Sequence, residues 1–253
     1  MPSSETALAE YSLRLGDDSL ILGQRLSEWC GHAPIVELDL SLANIGLDLI
    51  GQAQHFLGAA AALRGRGEDA DALAFRRDVL DFRNCLLVEQ PNGDFGQTMA
   101  RQFLFSTWQE LFLQGLSRST DRTLAAIAGK AVKEVAYHAR FAGEWIVRLG
   151  DGTEESRRRV SEGLDWMWRF VDELFAMDDV ETGLVARGVA VDRASLRPAW
   201  GEAVSAVLTD AGLDLPKPTR ATVGGRTGRH TEHLGHILSE MQFLQRAYPD
   251  ATW

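Results

Sequence analysis

Residues 51–55 read "GQAQH" and residues 133–138 read "KEVAYH". Each stretch lies inside a long helical pattern and each ends in a histidine. Around the first, Leu38, Leu42, Ile45, Leu49, Phe56 and Leu63 recur at intervals of three, four and seven. That is the spacing of one helix face, and it predicts a helix over about residues 35–64. Around the second, Ala128, Val132, Val135, Ala142, Trp145 and Leu149 form a stripe over about residues 121–149.

Working outward, Asp17 or Asp18 is read as the cap of a first helix that runs to about Trp29, with Gly31 and Pro34 stopping it. A shorter helix over about 69–88 is closed by "EQPNGD". A third long helix starts near Phe95 and contains "MARQFLFSTWQELFLQGL". It is apolar nearly all round, so it belongs inside a bundle or at a partner surface. Thr153 is placed to cap a helix over about 154–177. "DDVETGLVARGVAVD" reads as a loop or short hairpin, and a short helix follows near 194–211. The prolines and glycines between 215 and 228 mark a long loop, and "RHTEHLGHILSEMQFLQRAY" reads as one last helix. Long helices with short breaks imply an up-and-down bundle. The hairpins at about 17–64 and 97–149 are weakly alike, which is how ferritin-like bundles are built. The expectation is all-α: one ferritin-like domain over 1–253, with additional C-terminal helices in an extension over about 178–253.

Composition excludes several classes. With 26 Lys and Arg against 36 Asp and Glu, the formal charge is −10. That sign disfavours nucleic acid or an anionic membrane as partner. No apolar run approaches the roughly 18 residues of a spanning helix. The start of the chain lacks the pattern of a signal peptide. Cys30 and Cys85 are the only cysteines, too few for a disulfide framework, so a cytoplasmic location is expected.

The two histidines raise the question of metal. A carboxylate-bridged di-iron bundle takes one Glu from each of two helices and Glu-x-x-His from each of two others, because residues three apart share a helix face. Here the place three before His55 holds Gln52, and the place three before His138 holds Val135. An amide is a poor bridge between two iron ions, and valine cannot bind metal. Glu134 is adjacent to Val135, but one helical step turns about 100°. The inward positions of the first helix read as Leu22, Leu26 and Trp29, with no acid. From the residues alone three readings stand. Gln52, His55, Glu134 and His138 form a buried hydrogen-bonded relic of a site; or Asp48, Glu110, Glu134 and His138 make an atypical metal site; or the histidines face solvent.

Other features are weaker. His230, Glu232, His233, His236 and Glu240 share helical spacings and make either a polar face or a metal clamp. "GGRTGRH" lacks the strand and GK[ST] of a phosphate loop, though its arginines could meet an anionic group or an acidic partner. Trp108, Trp145, Trp166, Trp168 and Phe170 read as core or interface anchors, with part of "WMWRF" facing a neighbour. No nucleophile elbow or oxyanion motif is present, so no catalytic residues are assigned.

Five long phrases carry a resemblance: "LRLGDDSLILGQRLSEWCGHAP", "DLSLANIGLDLIGQAQHFL", "DFRNCLLVEQPNGDFGQTMARQFLFSTWQ", "KAVKEVAYHARFAGEWIVRLGDGTEES" and "GRTGRHTEHLGHILSEMQFLQRAYP". From about Tyr11 to Pro249 the chain resembles the PaaC-type subunits of phenylacetyl-CoA ring epoxidase. The resemblance implies a ferritin-like bundle and a noncatalytic structural subunit. It implies a homologous catalytic partner that holds the di-iron centre, other complex subunits, and a reductase that draws on NADPH. The complex so implied adds one oxygen atom of O₂ across the aromatic ring. No cofactor is then expected in this chain, and self-association is expected when it is isolated. The rival expectations are an enzyme with its own atypical di-metal centre and a ferritin-like storage or binding protein.

Overall fold

The computed structural model describes residues 4–249 and 251. They fall into two compact units. The first takes the described residues up to Glu89 and those from Gly224 onward. It opens with α1 (Ser4–Ser27) and α2 (Val36–Arg64), followed by α3 (Ala70–Phe75) and the single turn α4 (Leu86–Glu89). The second unit, Gln90–Val223, holds α5 (Phe95–Leu116), α6 (Arg122–Gly150), α7 (Glu154–Trp168), α8 (Asp179–Val185) and α9 (Arg197–Asp210). The chain then returns to the first unit with α10 (Glu232–Met241) and α11 (Phe243–Ala247). No strand occurs among the described residues, so the all-α bundle read from the periodicity is what forms.

In the first unit α1 and α2 make an antiparallel hairpin. Gly31 turns the chain between them at φ +79°, and Gly65 ends α2 in the left-handed region, donating its N–H to the Ala61 carbonyl. Small residues set the spacing. A Cβ on Gly23 would lie 3.2 Å from the Gly46 carbonyl oxygen, and one on Gly16 only 2.6 Å from Leu57 Cδ2. Each glycine costs about 1 kcal/mol of helix propensity relative to Ala. The close packing it permits buries Leu22 and Leu26 of α1 against Leu42, Ile45 and Leu49 of α2.

In the second unit α5 is the core. Every residue from Thr98 to Gln109 is buried, as a helix without a polar face requires. α6, α7 and α9 pack on it. α6 brings one apolar stripe, and α9 brings Trp200, whose indole N–H donates to the Leu104 carbonyl at 3.1 Å. Asp94, Asp121 and Thr153 cap α5, α6 and α7, each accepting a backbone N–H three residues on. The apolar surface of α5 is thus consumed within the chain and is not a partner face; Trp108 stacks on Phe112 with centroids 4.8 Å apart.

Several sequence expectations are corrected. α1 does not begin at Asp17 or Asp18: both aspartates lie in the middle of a helix already formed at Ser4, and both are buried. Trp29 falls just beyond α1 and is half-buried. The helix expected over 69–88 is broken into α3, a 3-10 turn (Val79–Asp81) and α4. "DDVETGLVARGVAVD" contains a helix, α8, capped by Asp178. The last helix is split at Gln242, whose side-chain amide donates to the carbonyls of Ala74 and Arg77.

The contact of α7 with α5 gives a test. A Cβ on Gly163 would lie 2.7 Å from Gln97 Cα, which is backbone and cannot rotate away. Gly163→Ala should therefore destabilise by about 1–3 kcal/mol through overpacking, although Ala is the better helix former. Gly129→Ala on α6, where nothing lies within 4 Å, should be neutral or stabilising by up to about 1 kcal/mol. Urea unfolding of the two variants against wild type measures the contrast.

Candidate functional site

α2 and α6 place the residues weighed for metal. On α2, Gln52 is buried beside Leu49, Ala53 and Phe56. His55 is exposed. The buried positions of α2 run through Leu49, Gln52, Ala53, Phe56 and Ala60, and His55 lies about 100° round the helix from Phe56. The expected buried cluster of four therefore fails at His55. On α6, His138 and Val135 are fully buried and Glu134 is half-buried. Asp48 and Glu110 are also half-buried.

The chemistry of these side chains does not suit a two-iron centre. Such a centre needs several buried carboxylates. The buried acids among the described residues are Asp17, Asp18, Glu89, Glu173 and Glu181. None lies on α2, α5 or α6. Their buried polar side chains include Gln52 on α2, Arg101, Gln102, Ser106 and Gln109 on α5, and His138 on α6, none of them a carboxylate. Among the described residues, no three His, Cys, Asp or Glu side chains converge where an ion could be held.

The densest polar constellation is one that sequence reasoning missed. Asp17 and Asp18, adjacent on α1, each meet an arginine from far along the chain. Asp18 takes a bidentate pair from Arg226, at 2.6 and 3.0 Å, and accepts the Cys85 backbone N–H at 2.7 Å. Asp17 pairs with Arg77 and accepts the Arg83 N–H at 2.8 Å, while the Arg77 guanidinium stacks over the Phe82 ring. Burial raises the Asp17 pKa above the ordinary carboxylate value, against the pull of Arg77 and of the Arg83 N–H.

A third pair closes the network. Glu89 Oε2 accepts from Asn84 at 2.8 Å and meets His230 Nδ1 at 2.7 Å, and Glu89 Oε1 takes the N–H and hydroxyl of Thr231. Arg25 donates to the Glu89 carbonyl. His230 Nε2 faces the Phe82 carbonyl at 3.0 Å. Both ring nitrogens thus face acceptors, so the imidazolium is the form that fits. Burial acts to lower the His230 pKa, but the hydrogen bond and charge of Glu89, with the Phe82 carbonyl, outweigh it and raise the pKa.

Two further readings are narrowed here. Of the two arginines of "GGRTGRH", Arg226 is buried on Asp18 and is not offered to an external anion, while Arg229 is exposed. His230 lies outside α10, drawn to Glu89, while His233 is half-buried and His236 exposed, so the three histidines do not form a clamp. What the constellation can do chemically is hold charge and one proton away from water. It fastens the segment around Arg226 and His230 to α1 and α4.

The whole length of the chain, residues 1–253, matches the family described as phenylacetic acid catabolic protein, and the chain belongs to that family. Among curated proteins it is similar to the C subunit of the 1,2-phenylacetyl-CoA epoxidase of Escherichia coli (strain K12). The two are 50% identical over 246 residues, covering 97% of this chain and 99% of the relative. No helix among the described residues is long and apolar enough to cross a membrane.

Removing one member of a buried ion pair strands the other. Asp18→Asn should destabilise by about 3–5 kcal/mol because Arg226 keeps its charge without a counter-ion. The His230–Glu89 pair adds a pH signature. A raised folded-state pKa means its stabilisation is fully present below the pKa of the unfolded histidine and lost as pH rises through the folded one. The stability gap between wild type and His230→Gln should therefore narrow as pH rises from about 6. Denaturant melts across that range check the sign.

Proposed function

We propose that this chain is the noncatalytic structural subunit of a multicomponent phenylacetyl-CoA epoxidase of phenylacetate catabolism. The observation that carries this reading is the 50% identity, over nearly the full length, to a subunit of that enzyme. In this reading the di-iron centre belongs to a homologous catalytic partner, and this chain binds no metal of its own. The uncharged side chains support it: Gln52 and Val135 stand three residues before His55 and His138, where a di-iron bundle places glutamates. The work of such a subunit is to cover apolar helices of its partner and fix their orientation, as a large obligate interface does. The partners are the catalytic subunit and the other subunits of the complex, in the cytoplasm.

Co-expression with the catalytic subunit tests the reading. The expected result is a stoichiometric complex that epoxidises phenylacetyl-CoA, with iron in the partner and none retained after chelation by this chain alone. About two irons held by the isolated chain, or no complex, would sink it. His138→Ala sharpens the test. It should cost about 1–3 kcal/mol of stability, since a buried polar group is removed and its surroundings left unsatisfied. Turnover per assembled complex should stay at the wild-type level. Loss of turnover with normal assembly and stability would make His138 catalytic.

A further inference from the structure

The turn that leads into α5 reads "QPNGDF" over residues 90–95. Its centre, Asn92-Gly93, requires glycine twice over. Gly93 has φ +57°, and a Cβ there would lie 2.5 Å from Gln97 Oε1. The same glycine leaves its own nitrogen unshielded by a side chain, next along the chain to the amide carbon of Asn92. Gly93 is exposed, and its N–H donates to no group among the described residues. The amide is held from the other side. Arg101, fully buried on α5, donates to Asn92 Oδ1 at 2.6 Å and to the Gln90 carbonyl. A guanidinium on that oxygen draws electrons from the amide carbon and stabilises negative charge as it develops on the oxygen. Gln97 and Thr98 bond the carbonyl oxygens of Pro91 and Asn92, and leave the Gly93 nitrogen unheld.

We propose that Asn92 is a self-deamidation site, in which Arg101 activates the amide and then holds the product carboxylate. The Gly93 nitrogen gives its proton to solvent and bonds to Asn92 Cγ. The Cγ–Nδ2 bond breaks and that nitrogen leaves as ammonia, so a five-membered cyclic imide remains. Water then opens the ring. Addition at Cγ breaks the new bond and restores the backbone, with a carboxylate in place of the amide. Addition at the backbone carbonyl carbon instead puts the side-chain methylene into the main chain. The net change is amide plus water to carboxylate plus ammonium, with no oxidant or cofactor. The turn favours the first route. Thr98 and Gln97 keep the backbone carbonyls of Asn92 and Pro91 in place, and a carboxylate at Cγ meets the Arg101 guanidinium with opposite charge. That bond is stronger than the one the neutral amide accepts. The chain therefore gains one negative charge with age, at the entry to α5.

The inference does not rest on the proposed function, because its test uses this chain alone. The full-length protein is aged at physiological temperature in mildly alkaline buffer, and its tryptic peptides are weighed and sequenced by mass spectrometry. Cleavage after Arg83 and Arg101 yields one peptide, residues 84–101, that holds both Asn84 and Asn92. Amide-to-acid conversion is expected at Asn92, mostly with the normal backbone linkage, while Asn44 and Asn84 keep their amides. The rate in the folded chain should equal or exceed the rate in the same chain unfolded in urea, because Arg101 is in place only when folded. Arg101→Lys, which lacks the planar fork, should slow conversion in the folded chain about tenfold or more and leave the urea rate unchanged. Asn92→Asp, which installs the product, should melt above wild type at neutral pH and lose that gain as acid protonates the carboxylate. Conversion much slower in the folded chain than in urea would overturn the proposal. So would equal conversion at Asn44 or Asn84, an unchanged rate in folded Arg101→Lys, or an Asn92→Asp protein that melts below wild type. If Arg101→Lys does not fold, the folded-against-unfolded comparison of the wild type decides.

Discussion

Two adjacent carboxylates inside a buried helix have to be neutralised, and the first unit is arranged around that requirement. Asp17 and Asp18 are almost wholly out of water. A carboxylate in that position without a counter-ion carries a penalty of several kcal/mol. The counter-ions come from outside α1, from residue 77 and residue 226. The stretch between α3 and α4 is irregular for the same reason. Arg83 and Cys85 turn their backbone N–H groups toward the aspartates instead of into a helix.

Delivery of Arg226 constrains the returning segment just as tightly. Its guanidinium also donates to the carbonyls of Arg14 and Arg83, so the chain must run close over α1 and the loop before α4. Gly225 passes so near Asn84 that an added Cβ would stand 2.0 Å from the carbonyl oxygen. Gly228 turns with φ +76°, a conformation that favours glycine. Glu89 and His230 then hold the far end. Buried pairs of this kind contribute little net stability relative to apolar packing but are costly to break. Here they fix which segment returns to which helix, a matter of register more than of total stability.

This division explains what is legible in the sequence. α2, α5 and α6 can be read because their apolar periodicity is local, and Thr153 because its cap lies within three residues of its acceptor. Asp17 and Asp18 read as caps for a physical reason. Aspartate in isolation does prefer helix ends, and its preference is overridden only by partners 60 and 208 residues away. The single helix expected at 69–88 fails through the same long-range pairs. The trace that is present, two acids side by side between the apolar runs of "LRLGDDSLIL", acquires meaning only once buried charge is expected to find opposite charge. His55 is misplaced by a smaller error: three residues from Gln52 is close enough to share a face on paper, yet far enough round the helix to reach solvent.

α2 and α5 show what periodicity cannot decide. α5 is apolar almost all round, and α2 carries large apolar residues on more than one face. α5 is covered from Thr98 to Gln109, and α2 keeps its Val36–Leu47 side open. Sequence does not separate a helix covered on every side from one that leaves a side exposed; only the packing does. The neutral groups at Gln52 and Val135 follow from the same economy of buried charge. A cluster of carboxylates without its metal would repel itself and carry the desolvation penalty of every member. An amide and a valine at these two positions carry no such repulsion. Of the buried acids, Asp17, Asp18, Glu89 and Glu181 are matched to Arg77, Arg226, His230 and Arg193 respectively.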